Sequence, residues 1–146
     1  MTNQPVEVLL VEDNEDDVVI IQEVFAEMRL ATLINVVRDG EEALAYLQRQ
    51  GKYKVVRMPD IVLLDINMPK KNGFEVLEAM KKDPRLQSLP VIMLTTSQRE
   101  EDVVRSYAKG ACSYIHKLVD LEQFKHLIMQ FEHYWTGVSR IPTIRE

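Results

Sequence analysis

Apolar residues follow two rhythms along this chain. Three short runs are almost uniformly hydrophobic: 6–13 reads VEVLLVED, 60–65 reads DIVLLD and 90–95 reads PVIMLT. Strands buried on both faces of a parallel sheet have this composition. Two more mixed runs, 32–37 with Thr32 and Asn35 and 112–116 with Ser113 and His116, bring the strand candidates to five. Their expected bounds are 6–11, 32–37, 60–65, 90–95 and 112–116. Between them the apolar spacing changes to three and four residues, the period of a helix. Val18, Ile21, Phe25 and Met28 form the first such stripe, with Asn14 placed to cap its start. The second helix is expected over 39–50, with Ala43, Leu44 and Leu47 on one face and Gly51 as its stop. A third starts after Asn72-Gly73, buries Phe74, Leu77 and Met80, and ends at Asp83-Pro84. The fourth, near 99–109, carries Val103, Val104 and Tyr107 and stops at Gly110.

Strand–helix alternation predicts right-handed βαβ units and a sheet covered on both sides. The most uniformly apolar runs belong at its centre and the mixed ones at its edges. That gives an α/β fold with a doubly wound, five-stranded parallel sheet of order 2-1-3-4-5, whose switch point lies between strands one and three. Ligand sites in such sheets sit at the C-terminal strand ends. Glu12, Asp13 and Asp65 occupy those ends, so three carboxylates are expected in one crevice. Without a cation they repel one another. The cluster makes sense as a hard-cation site, and hence as a site for phosphate chemistry.

After the fifth strand, Leu121, Phe124, Leu127, Ile128, Phe131, Tyr134 and Trp135 predict a long last helix whose apolar arc is wider than a single core-facing stripe. Gly137 breaks it. The expected organisation is one domain over 5–136 and a short tail over 137–146, with no output domain. Large aromatics are enriched at interface centres, so Phe131, Tyr134 and Trp135 read as a homodimer face in preference to a cap on the monomer's own core.

Composition narrows the function. With 46% hydrophobic and 28% charged residues among 146, the chain has the balance of a soluble globular domain. A net charge of −5 argues against a nucleic-acid partner. Cys112 is the one cysteine, which excludes an internal disulfide and a cysteine-based zinc site. No signal peptide or membrane-spanning stretch is recognisable, so a cytoplasmic location and no membrane partner are expected. His116, His126 and His133 lack ligand spacing with any acid pair.

In the shared crevice, Glu12 and Asp13 can hold a magnesium ion directly or through its waters. Asp65 can coordinate it and present its other oxygen to a phosphoryl donor. Thr95, closing strand four, can bond a phosphoryl oxygen, and Lys117, just past strand five, supplies a point charge. The product would be an aspartyl phosphate.

The set Glu12-Asp13, Asp65-x-Asn67-Met68-Pro69-x-x-x-Gly73, Thr95-Thr96 and Lys117 closely resembles the receiver domain of two-component response regulators, a flavodoxin-like fold. The resemblance implies Asp65 as phosphoacceptor, and Mg2+ held by Glu12, Asp13, Asp65 and the backbone carbonyl of Asn67. It also implies Thr95 and Lys117 as readers of the phosphoryl group and Tyr114 as the aromatic switch residue. The short form, the EDNEDD opening and the aromatic last helix resemble the single-domain regulators associated with phytochromes. Departures exist. Leu118 stands where receivers usually carry a cis proline, and a cis bond before a non-proline residue costs about 2.5–4 kcal/mol, so a trans bond is expected. Thr96 is bulkier than the usual residue after the switch threonine. Asn67 and Ser97 occupy the variable positions flanking the site.

These readings lead to a phosphorylation switch, not an enzyme acting on a free substrate, although it assists its own phosphorylation and dephosphorylation. A sensor histidine kinase donates to Asp65, and output passes by contact to a downstream protein or a phosphotransfer histidine. Leu118 and Thr96 support an alternative, a binding or dimerisation module that does not rely on phosphorylation. A magnesium-dependent phosphohydrolase would want an acid two residues after the nucleophile, and Asn67 stands there.

Overall fold

Every residue of the first strand is buried, which places it in the middle of a sheet covered on both faces. The computed structural model describes residues 6–27, 32–68, 70–95, 100–111, 113–116, 125–126 and 129–130. In chain order these form β1 (Val6–Val11), α1 (Glu15–Ala26), β2 (Thr32–Val37), α2 (Gly40–Leu47), a 3-10 turn (Gly51–Tyr53), β3 (Ile61–Asp65), α3 (Gly73–Lys82), β4 (Val91–Thr95), α4 (Glu100–Ala108) and β5 (Ser113–His116). The strands are parallel and ordered β2-β1-β3-β4-β5. β1 is hydrogen-bonded on both sides, with Val8 opposite Ile34 of β2 and Ile61 of β3.

The unbroken apolar runs have a direct cause. Successive strand residues point to opposite faces, and here both faces are core. Leu9, Val11, Val62, Leu64, Val91 and Met93 pack with α2 and α3. Val8, Leu10, Ile61, Leu63, Ile92 and Leu94 pack with Val18, Ile21, Val24 and Phe25 of α1. β2 is an edge strand and alternates instead, leaving Leu33 51% exposed.

Start signals work as the sequence suggests. The Asn14 side chain accepts from the Asp17 N–H at 3.1 Å and caps α1, whose first turn carries Glu15, Asp16 and Asp17, a stabilising placement for acids. Asn72 and Glu75 form a reciprocal capping box at the head of α3. β3 starts at Ile61 because Asp60 is used as a latch. Its carboxylate accepts the Glu7 N–H at 2.8 Å, and its own N–H donates to the Glu7 carbonyl.

Three expectations need correcting or bounding. α2 ends at Leu47, short of the stop expected at Gly51. The Gln50 N–H reaches back to the Ala45 carbonyl and the Arg49 N–H to the Tyr46 carbonyl. This pair of bonds is a Schellman ending, and it places Arg49 in the left-handed region at φ 55. Glycine is the usual occupant there, and the Arg49 Nε is buried with no hydrogen-bond partner among the described residues. Arg49→Gly should therefore stabilise the fold by about 0.5–1 kcal/mol after the glycine's unfolded-state entropy is charged against the relieved strain. Urea unfolding followed by circular dichroism would check the sign. In α4 the inward position belongs to Ser106, whose Oγ donates to the Asp102 carbonyl at 2.9 Å, and Tyr107 is half exposed. Of the expected long last helix the described residues are 125–126 and 129–130, which are helical, and the Lys117–Leu118 bond and the tail lie outside the described residues. No described helix is long and apolar enough to cross a membrane.

Candidate functional site

β1 and β3 lie side by side in register, with Val11 opposite Leu64. Glu12 and Asp13 follow directly on β1, and Asp65 closes β3. Their carboxylate oxygens come within 4.8 Å of one another. Glu12 and Asp65 are buried at 0% and 3% exposure, and Asp13 is exposed. The crevice therefore has a buried floor of two acids and an accessible third at its mouth.

Local backbone chemistry sets these side chains. The Glu12 N–H donates to the Val37 carbonyl of β2, continuing the ladder one residue past the strand. Its Oε2 accepts the Asn14 N–H at 3.2 Å, so the residue that caps α1 also fixes the floor acid. The Asn67 N–H points at Asp65 Oδ1 at 3.4 Å. The loop between β3 and α3 is closed by the Gly73 N–H donating to the Ile66 carbonyl at 2.8 Å. Met68, in this loop, is partly buried against the core.

The neighbouring strands bring in the remaining candidates. Asp65 is opposite Leu94, so Thr95 stands one residue further along the adjoining strand. Thr95 is in turn opposite His116, the residue before Lys117, and Tyr114 lies two residues earlier, opposite Met93. Thus Glu12, Asp13, Asp65 and the Asn67 backbone meet in one crevice, and Thr95 closes the next strand end. Lys117, Leu118, Thr96, Ser97, Phe131, Tyr134 and Trp135 lie outside the described residues.

The sequence pattern gave no sign of the rim formed by the start of α2. Asp39 caps that helix by accepting the Glu42 N–H at 2.8 Å, and its other oxygen lies 3.6 Å from Lys70 Nζ. Lys70 is held at φ 68, a left-handed conformation uncommon for a lysine. Arg38 Nη1 bridges from the same junction to Glu15 at the start of α1. Just outside the rim, a groove of about 510 Å³ is lined by Asp39, Glu42, Lys52, Tyr53 and Lys70, among others. In it the Tyr53 hydroxyl donates to Glu42, and this bond, with the Arg38 N–H, holds the Glu42 carboxyl below its ordinary range. Burial and the same carboxylate push the Tyr53 phenol well above its own.

In chemical terms the arrangement offers a hard, all-oxygen donor set beside a carboxylate that can act as a nucleophile. Known proteins match this chain over nearly its whole length. Response regulator Rcp1 of Synechocystis sp. is 38% identical over 141 residues, which are 97% of this chain and 96% of the relative. The crystal structure of the phosphorylated cyanobacterial phytochrome response regulator RcpA superposes with a TM-score of 0.84 at 39% identity, covering 96% of this chain and all of that one. The Mn2+-bound form of Rcp1 superposes with a TM-score of 0.82 at 38% identity, covering 94% of this chain and 99% of that one. A family model, the response regulator receiver domain, matches residues 8–129. The chain belongs to the receiver domain family of response regulators.

Proposed function

We propose that Asp65 accepts a phosphoryl group from the phosphohistidine of a sensor kinase, with Mg2+ held by Glu12, Asp13, Asp65 and the Asn67 carbonyl. The observation that carries this reading is the convergence of Glu12, Asp13 and Asp65 within 4.8 Å at adjacent strand ends. The donor set fits the ion. Opposite oxygens around one magnesium, each about 2.1 Å from it, stand about 4.2 Å apart. A slightly wider envelope suits a single hard cation that keeps part of its water. When bound, the ion offsets negative charge on the carboxylates and the incoming phosphoryl group.

The chain's own groups supply the rest. A carboxylate oxygen of Asp65 forms the new bond to phosphorus as the bond from phosphorus to the histidine nitrogen breaks. The imidazole leaves with that electron pair. Thr95 and Lys117 are assigned to the phosphoryl oxygens, as hydroxyl donor and point charge, and Tyr114 to the switch that follows. Two relatives support phosphoryl acceptance and divalent-metal binding as such: one 39% identical has been crystallised phosphorylated and another, 38% identical, with Mn2+. The phosphorylated relative is a cyanobacterial phytochrome response regulator, which makes a phytochrome-type kinase the partner we favour, acting in the cytoplasm. Output passes by contact to a downstream protein or a phosphotransfer histidine. A second copy of this chain, meeting it through Phe131, Tyr134 and Trp135, completes the proposal. Tyr107 and Met129 are each at least half exposed, large apolar side chains left for a partner to cover.

Incubation with acetyl phosphate and Mg2+ should add the mass of one phosphoryl group, and Asp65→Asn should abolish it. An unmodified wild-type chain under every donor would favour the phosphorylation-independent module. Continuous release of inorganic phosphate without an adduct would favour a hydrolase.

A further inference from the structure

The loop from β3 to α3 carries the proposed acceptor's neighbours, and it rests on the first residue of another helix. Gly40, which opens α2, is buried directly beneath Lys71. A Cβ built on Gly40 would run into the Lys71 carbonyl oxygen and lie 2.6 Å from Lys71 Cβ and 2.8 Å from its carbonyl carbon. These are backbone atoms and a Cβ, so a flexible side-chain end cannot swing away to make room. One residue earlier, Lys70 is held at φ 68 and its ammonium faces Asp39, the residue that caps α2. A non-glycine residue stays in that conformation when its surroundings over-determine it. At the far end the Gly73 N–H ties the loop back to the Ile66 carbonyl. The described residues on either side of 69 are thus both held, Ile66 by the Gly73 N–H and Lys71 by its seat on Gly40.

We propose that Gly40 is a positioning residue for the acceptor site: its bare Cα is the seat for Lys71, and through that seat α2 sets where Asn67 and Asp65 present their oxygens to the metal. The inference rests on the metal and acceptor roles proposed above. A side chain at 40 lifts Lys71, the lift is passed through the closed loop to Asn67, and the donor set loosens although all three acids remain. Metal affinity is therefore the quantity that reports the seat. Global stability alone does not, because any strained glycine would lower it.

Gly51 provides the comparison. It sits at φ +58 with no described residue within 4 Å of the place a Cβ would occupy, so Gly51→Ala strains the backbone without touching the described part of the loop. Mn2+ binding to the full chain, followed by electron paramagnetic resonance, should weaken on the order of 10-fold or more in Gly40→Ala, the effect typical of losing an outer support of a metal site. Gly51→Ala should lower the melting temperature and leave Mn2+ affinity within about 2-fold, because its effect is confined to local strain. Wild-type Mn2+ affinity in folded Gly40→Ala would overturn the proposal. If Gly40→Ala does not fold, a Mg2+ titration of wild type by amide NMR decides instead. Gly40 and Lys71 amides moving with the midpoint of Asn67 support the seat, and unmoved Gly40 and Lys71 amides refute it. Failure of wild type to accept phosphate from acetyl phosphate would sink the acceptor reading and leave the Mn2+ comparison intact. Normal phosphorylation with unchanged Mn2+ affinity in Gly40→Ala would sink the seat alone.

Discussion

Magnesium should raise the melting temperature of this protein, and Glu12→Gln should remove most of that rise while making the metal-free protein more stable than wild type. The two effects have one origin. Glu12 and Asp65 are buried, and with Asp13 their oxygens lie within 4.8 Å. At that separation two carboxylates repel by roughly 3.5 kcal/mol at an effective dielectric of 20 and by about 1 kcal/mol in bulk water. Other partners of these groups reduce the net figure, so we expect neutralising Glu12 to stabilise the metal-free fold by about 1–2 kcal/mol. Gln keeps the carbonyl oxygen that accepts the Asn14 N–H, and the cap of α1 survives. The cation gain runs the other way. A ligand at 100 times its dissociation constant stabilises the folded state by about 2.7 kcal/mol, or roughly 5–10 °C for a domain of this size. Loss of one carboxylate ligand removes the larger part of it. Scanning calorimetry of both proteins with EDTA and with Mg2+ tests all four corners. A Glu12→Gln protein less stable than wild type in EDTA would mean that the acid is anchored by favourable contacts stronger than the repulsion.

The acid cluster was legible in the sequence because strand ends are. Both faces of β1 and β3 are core, so each strand reads as a mostly apolar run, and the runs end at Glu12-Asp13 and at Asp65. Two strands at a switch point then have to bring Glu12, Asp13 and Asp65 together. The sheet order followed from the same contrast between uniform central runs and mixed edges. What stayed hidden depends on contacts with no periodic signature. Nothing near Gly40 announces Lys71, which reaches it only after β3 has crossed the sheet. Arg49 ends α2 in a conformation that composition assigns to Gly51, because two backbone bonds close there whatever the side chain. In α4 the error was one of phase. A helix of nine residues spans so few turns that Ser106 and Tyr107 are hard to order by period, and a small polar residue that bonds its own backbone fits the inside.

Gly73→Ala should impair phosphoryl acceptance by about 100-fold or more, the usual consequence of misplacing a reacting group by about 1 Å. Gly73 is buried at the head of α3, and a Cβ on it would strike the carbonyl oxygen of Asp65 and lie 2.8 Å from Ile66 Cα. Neither obstacle is a side chain, so α3 must back away or the end of β3 must move. The first breaks the 2.8 Å bond from the Gly73 N–H to the Ile66 carbonyl that closes the loop. The second displaces Asp65 itself. Overpacking of this kind costs about 1–3 kcal/mol of stability, and instability alone could slow the reaction. Asn72→Ala separates the causes. It removes the side chain that accepts the Glu75 N–H and costs about 1 kcal/mol, while leaving room above Asp65 unchanged. Rates with acetyl phosphate, measured where both variants are more than nine-tenths folded, should then be near wild type for Asn72→Ala and nearly lost for Gly73→Ala. Equal, mild slowing of the two would show that α3 yields and that the acceptor keeps its place.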